Sequence, residues 1–158
     1  AMGRAPDVVI GDLDSLDATM RGRLTEETRL LAYPRDKDQT DLELALAYAI
    51  SQGAREIFLF GMLGGRLDQM LANVLLLTQP AWGAARLFLF GEREIAQLLR
   101  DGETAVLHGV PGQVVSLLPF YPVVTGVTTE GLAWPLRNAD LSLGSTMGVS
   151  NEMASETA

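Results

Sequence analysis

In the first half of the chain, short apolar runs alternate with stretches of helical period. Asp7-Val8-Val9-Ile10 reads as a buried strand ending at Gly11. Arg29-Leu30-Leu31-Ala32-Tyr33 is a second strand, stopped by Pro34. Glu56-Ile57-Phe58-Leu59-Phe60 and Arg86-Leu87-Phe88-Leu89-Phe90 are a third and a fourth, stopped by Gly61 and Gly91. Between the second and third, Thr40 caps a predicted helix whose positive end carries Asp41 and Glu43 and whose end is Gly53. Leu42, Leu46, Ala49 and Ile50 share one face of it. A second helix is predicted from about Arg66 to Thr78, with Leu67, Leu71, Val74 and Leu75 as its apolar face and Pro80 beyond its end. Strands alternating with helices imply βαβ units and a mainly parallel sheet with flanking helices.

From about Glu92 the pattern changes. Val106-Leu107-His108, Gln113 to Leu117, Val123 to Thr128 and Leu132-Ala133-Trp134 read as short strands, separated by turns at Pro111-Gly112, Pro122, Gly126 and Gly131. Strands so short and closely spaced predict a small β-sandwich. The expected organisation is an α/β domain over residues 1–92 and a β-sandwich domain over residues 93–158. A sheet of so few strands and a sandwich ending in a polar tail both look unfinished, so further strands are expected beyond each end.

Composition narrows the class. Of 158 residues, 47 % are hydrophobic and 20 % charged, which fits a folded globular chain and not a disordered one. The net charge of −8 speaks against a nucleic-acid partner and against a polybasic membrane surface. No apolar run reaches the roughly 18–20 residues of a membrane span, and Ala1-Met2-Gly3-Arg4 lacks a signal-peptide core. With no cysteine there is no disulfide or thiolate chemistry; the expected location is the cytoplasm. The basic residues are eleven arginines and one lysine, Lys37, which lies in the acidic run Arg35-Asp36-Lys37-Asp38-Gln39-Thr40-Asp41. A compact ammonium meets phosphate as a point charge, unlike the guanidinium fork.

The candidate chemistry lies in Gly11-Asp12-Leu13-Asp14-Ser15, in Asp36 to Asp41 and in Gly64-Gly65-Arg66-Leu67-Asp68-Gln69. Each follows a predicted strand, and in a parallel sheet the strand C-termini share the ligand-binding edge. Carboxylates brought together there repel unless a cation or protons neutralise them. Hard oxygen donors without His or Cys suit Mg²⁺ and not zinc. With Lys37 and Arg66 as cations for phosphate, this is equipment for phosphoryl transfer. Taken singly, each part has an ordinary reading: Asp12 and Asp14 as turn residues, Gly64-Gly65 as a tight turn, Asp41 as a first-turn helix residue. No G-x-x-x-x-G-K-[ST] motif occurs, which leaves a P-loop unsupported. His108, the single histidine, reads as structural or surface, and Ser15 has no neighbouring base. Trp134 on its own reads as core of the sandwich, and Trp82 has no assigned role.

These segments, with Lys37 to Glu43 and Leu71-Ala72-Asn73, and in the second half Pro111-Gly112, Ser116 to Pro119, Gly126 to Leu132 and Gly148-Val149-Ser150-Asn151, resemble the thiamine pyrophosphokinase family in order and spacing over nearly the whole chain. The resemblance implies an α/β catalytic domain that binds ATP and Mg²⁺, followed by a thiamine-binding β-sandwich, in a homodimer with thiamine at the subunit interface. It implies transfer of the diphosphoryl group of ATP to the thiamine hydroxyl, releasing AMP. On the matching positions, Asp12, Asp14 and Asp41 look like the Mg²⁺ carboxylates. Lys37, Arg66 and Gln69 look like ATP or phosphate contacts, and Thr40 and Asp68 like positioning residues near the reacting oxygens. Trp134, Ser150 and Asn151 look like thiamine contacts: an aromatic face suits a flat cationic heterocycle, and Ser and Asn suit pyrimidine nitrogens. The sequence departs from the family at both ends. It has no Asp-Gly-Gly-Ala-type loop before Gly11 and no strand after Ser150-Asn151, so a truncated chain is expected. Two other readings remain: a pterin-alcohol diphosphokinase, sharing the acidic loops but not Trp134 and Ser150-Asn151, and a thiamine- or nucleotide-binding fragment without catalysis.

Overall fold

The computed structural model describes residues 4–13, 16–83 and 85–158. The chain divides into two compact units, Ala1–Leu98 and Leu99–Ala158.

In the first unit, strands β1 (Val8–Gly11) and β2 (Arg29–Ala32) pair in parallel, Val8 opposite Arg29 and Gly11 opposite Ala32. A short helix α1 (Ala18–Arg21), capped by the Asp17 carboxylate, lies between them in sequence. Strands β3 (Glu56–Phe60) and β4 (Arg86–Phe90) form a second parallel pair, and β5 (Ile95–Gln97) adds antiparallel to β4. Among the described residues the parallel strands therefore form two hydrogen-bonded groups and not one sheet. Helix α2 (Asp41–Ser51) packs against β1 and against the short 3₁₀ turn Pro80–Trp82, so it ties the two groups together.

Helix α2 begins where its sequence requires. The Thr40 hydroxyl accepts from the Glu43 amide at 3.2 Å. At the far end Gly53 takes φ 91° and donates to Ile50, while Ala54 donates to Ala49, which is the double closure of a glycine-terminated helix. Leu46 is buried, with Leu42 and Ile50 packed beside it.

Helix α3 (Leu67–Leu76) differs from its expected orientation. Leu67, Leu71 and Leu75 are exposed, and the inner side is formed by Val74, Leu76 and the following Leu77. The helix is apolar on two sides, so periodicity alone left its rotation open. In the orientation adopted, Leu76, Leu77 and Val74 join the core and the Asn73 amide donates to the Met62 carbonyl at 2.9 Å. Trp82 is part of the core, and its indole N–H donates to the Leu76 carbonyl.

Pleating sorts β3 and β4. Leu59, Leu87 and Leu89 enter the core, while Phe58 and Phe60 stack on Phe88 and Phe90 at 5.4 and 4.8 Å across the other face.

The second unit is held by two antiparallel ribbons. One joins β6 (Val114–Val115) to β9 (Asn151–Glu152), the other β7 (Val123–Val127) to β8 (Ala139–Ser142), with a bulge between Val124 and Val127 where Gly126 takes φ 72°. The expected strands at 106–108 and 132–134 are reduced to isolated bridges, His108 with Thr157 and Leu132 with Met153.

Candidate active site

In the first unit, Lys37, Thr40, Asp41 and Gln69 line one cleft of about 440 Å³. Its walls follow the C-terminal ends of β2 and β3, as a parallel arrangement requires. The Lys37 ammonium is 2.8 Å from Asp41 Oδ1, and the Lys37 side chain is only 13 % exposed against 52 % for Asp41. The lysine is therefore enclosed by protein and aimed at a carboxylate that still faces solvent. Asp41 occupies the first turn of α2, where the helix's positive end favours an anion.

The same carboxylate lies against Gly11, at the end of β1. A Cβ on Gly11 would come within 2.8 Å of Asp41 Oδ2. This brings Asp41 beside the loop that carries Asp12, from a part of the chain far away in sequence. Asp12 is half-buried. Leu13 takes φ 59°, an unfavourable conformation for a leucine, in the same loop. Asp14, the third expected carboxylate, and Ser15 lie outside the described residues. Among the described residues no three His, Cys, Asp or Glu side chains stand together as a metal site. The donor chemistry nonetheless suits Mg²⁺, which is held by one or two carboxylates and completes its shell with water and substrate phosphate.

Arg66 and Asp68, at the start of α3, engage each other. Arg66 Nε and Nη2 approach the two carboxylate oxygens at 3.1 and 2.5 Å, and both side chains are largely exposed. The hydrogen bond from Arg66 lowers the pKa of Asp68, and the same bond and charge raise that of Arg66. Asp68 should therefore titrate below the ordinary aspartate value of 3.8, and Arg66→Gln should return it toward that value. Carboxyl-detected NMR titration reads this directly; an unshifted wild-type Asp68 would dissolve the pair. Because the folded pKa is depressed, the small stabilisation it brings is present above pH 3.8 and is lost on acidification through the folded pKa.

Asn73, part of the Leu71-Ala72-Asn73 motif, lines the same cleft. Its spacing of four residues from Gln69 puts both on one side of α3, a signal that the sequence carried. In the second unit Trp134 is 60 % exposed, whereas Asn151 is buried at 5 %. Ser150 takes φ 58°, and its amide donates to the Ser116 hydroxyl at 3.0 Å.

A cleft at the ends of β2 and β3 that sets Lys37 and Arg35 beside the Asp41 carboxylate suits an α/β phosphotransfer domain. Residues 1–89 match the thiamin pyrophosphokinase catalytic domain, and residues 103–158 match the thiamin pyrophosphokinase vitamin B1 binding domain. The chain is 33 % identical to the thiamine pyrophosphokinase of Bacillus subtilis, over 96 % of its own length and 71 % of the relative's. It is 29 % identical to thiamine pyrophosphokinase 3 of Oryza sativa subsp. japonica, where it spans 60 % of the relative's length. The crystal structure of the Bacillus subtilis enzyme superposes with a TM-score of 0.84 at 29 % identity, covering 96 % of this chain and 72 % of that one. That of the Geobacillus thermodenitrificans enzyme gives 0.69 at 30 % identity, covering 96 % and 70 %. The chain belongs to the thiamin pyrophosphokinase family, diphosphotransferases that use ATP to convert thiamine to thiamine diphosphate. Its mixed small sheets and few helices are the fold of that family. Among the described residues no helix is long and apolar enough to cross a membrane.

Proposed function

We propose that the cleft of Lys37, Thr40, Asp41 and Gln69 holds the polyphosphate of ATP, and that the second unit supplies the thiamine end of the reaction. In this reading the thiamine hydroxyl oxygen attacks the β-phosphorus of ATP. The bond from that phosphorus to the oxygen bridging to the α-phosphate breaks, AMP leaves with the bridging oxygen, and the hydroxyl proton passes to a base. Asp12, Asp14 and Asp41 are the residues that would hold Mg²⁺, whose role is to neutralise charge on the transferring group. Lys37 offers its ammonium to phosphate, steadied between turnovers by Asp41. Gln69 offers amide donors, and the Thr40 hydroxyl, whose oxygen caps α2, keeps its proton to donate. Arg66 reaches phosphate by leaving Asp68, which then lies near the reacting oxygens as a positioning group. Trp134, with Ser150 and Asn151 adjoining, forms the thiamine face.

The observation that carries this reading is the Lys37–Asp41 pair, enclosed at its lysine end and open at its carboxylate end. The vitamin B1 binding match over residues 103–158 favours thiamine over a pterin alcohol. The domain roles follow: the first unit as the nucleotide-binding α/β domain and the second as a thiamine-binding β-sandwich, with the expected boundary after residue 92 moved past β5, which pairs with β4. A cytoplasmic homodimer with thiamine at the subunit interface completes the proposal. The test is product analysis with ATP and thiamine, with and without Mg²⁺. AMP and thiamine diphosphate are expected in equal amounts, only with the metal. ADP as the product, or binding of both ligands without AMP, would overturn it.

A further inference from the structure

Among the described residues Asn151 is the one buried polar side chain, and its amide has an unusual set of partners. Its main chain pairs with Val115 of β6. Its side chain turns instead to Trp134. Nδ2 donates to the Trp134 carbonyl at 2.6 Å, and Oδ1 accepts from the Trp134 amide at 3.1 Å and from the Glu152 amide at 2.8 Å.

The neighbouring main chain explains this arrangement. Ala133 donates to the Glu152 carbonyl, Ala154 donates to the Gly131 carbonyl, and Leu132 bridges Met153. Residues 131–133 thus run as a short ladder along 152–154. This segment meets β6 along its other edge, where Glu152 and Asn151 pair with Val114 and Val115, and past Ala133 the side-chain amide of Asn151 extends the ladder by one residue to Trp134. A primary amide offers a donor and an acceptor in the geometry of a peptide group, and Asn is the shorter of the two side chains that carry one. Pro135 follows Trp134 and has no N–H with which to continue the ladder. Both main-chain polar groups of Trp134 are thereby satisfied by one side chain, while the residue itself remains 60 % exposed.

We propose that Asn151 is a positioning residue: it clamps the main chain of Trp134 so that the indole is presented in a fixed pose to thiamine, and it does not read the substrate itself. This rests on the reading of Trp134 as the thiamine face. Oδ1 already accepts two hydrogen bonds, its full capacity, so only one N–H of Nδ2 is left over.

The test uses Asn151→Asp, which keeps both accepting contacts and replaces the Nδ2 donor with an oxygen facing the Trp134 carbonyl. The chain has two tryptophans, Trp82 in the first unit and Trp134 in the second, so 5-fluorotryptophan labelling gives two fluorine resonances, assigned with Trp134→Phe. In the ligand-free variant the Trp134 resonance is expected to shift or broaden while that of Trp82 stays. Thiamine KM is expected to rise about tenfold, the scale of one lost hydrogen bond, with ATP KM unchanged. A Trp134 resonance that does not move while thiamine KM rises would make Asn151 a direct ligand contact and overturn the clamp. A resonance that moves with no change in thiamine KM would overturn the proposal at its other end, removing Trp134 from the thiamine site. Should the variant fail to fold, hydrogen exchange in the unaltered protein decides. The Trp134 amide, bonded to the Asn151 side chain, is expected to exchange slowly despite the exposure of its residue. Exchange at the rate of a free amide would rule the clamp out.

Discussion

Asp41→Asn is expected to lower AMP formation roughly 100- to 1,000-fold, the scale of losing one preorganised electrostatic contact to a transition state. The substitution is nearly isosteric, so the close approach to Gly11 survives. What changes is charge. Lys37 Nζ lies 2.8 Å from Asp41 Oδ1 with its side chain 13 % exposed, and it loses its ion-pair partner. The loss has two faces: one carboxylate fewer for a cation, and an ammonium deprived of the Asp41 charge when phosphate is absent. Lys37→Arg is the companion variant. It keeps the charge, but a planar fork replaces a compact ammonium in an enclosed slot, so turnover should also fall while unfolding changes little. The measurement is AMP release at saturating thiamine over a range of Mg²⁺, with circular dichroism as the check on folding. Asp41→Asn working within about threefold of the parent would remove Asp41 from the reacting centre.

The elements that were legible in the sequence are those in which local and tertiary demands agree. Strands β1 to β4 are apolar runs closed by Gly or Pro, and they lie within a residue of their expected places. Helix α2 has a capping hydroxyl, acidic residues at its positive end and a terminating glycine, and every one is used. Lys37, Thr40, Asp41 and Gln69 line one cleft, whereas Asp12, Arg66 and Asp68, expected at the same strand edge, are not part of its lining, and β2 and β3 belong to separate hydrogen-bonded groups. Where the reading erred, the deciding force was tertiary. Helix α3 offered two apolar stripes, and the one that packs with Leu46, Trp82 and Leu89 in the core is not the one its leucine spacing marks. Strand β5 is three residues long and exists only because β4 offers an open edge. Trp82 sits behind a proline in a loop-like sequence, yet the carbonyl of Leu76 gives its indole a buried partner. The clamp by Asn151 left no trace in the pattern, because a side chain extends a main-chain ladder that only the fold creates.

Gly11→Ala separates the geometry of the site from its composition, since it alters no charged or polar side chain. The added Cβ would lie 2.8 Å from Asp41 Oδ2, 3.0 Å from Cγ and 3.3 Å from Oδ1, so the carboxylate must move. Displacements of about 1 Å at a reacting centre cost on the order of 100-fold in rate, and a loss of that order in kcat/KM is expected. Gly11 also has φ 151°, a conformation that a Cβ disfavours, so some loss of stability, about 1–3 kcal/mol, should accompany it. The two effects are distinguished by Gly53→Ala. Gly53 has φ 91° at the end of α2, and nothing lies within 4 Å of the Cβ it lacks. That variant should lose stability through backbone strain alone and keep its kcat/KM. If Gly11→Ala behaves like Gly53→Ala, with a lower Tm and full kcat/KM, the contact between β1 and the Asp41 carboxylate has no part in the reaction. If only Gly11→Ala loses turnover, the glycine at the end of β1 is the spacing that lets a residue from α2 stand beside Asp12.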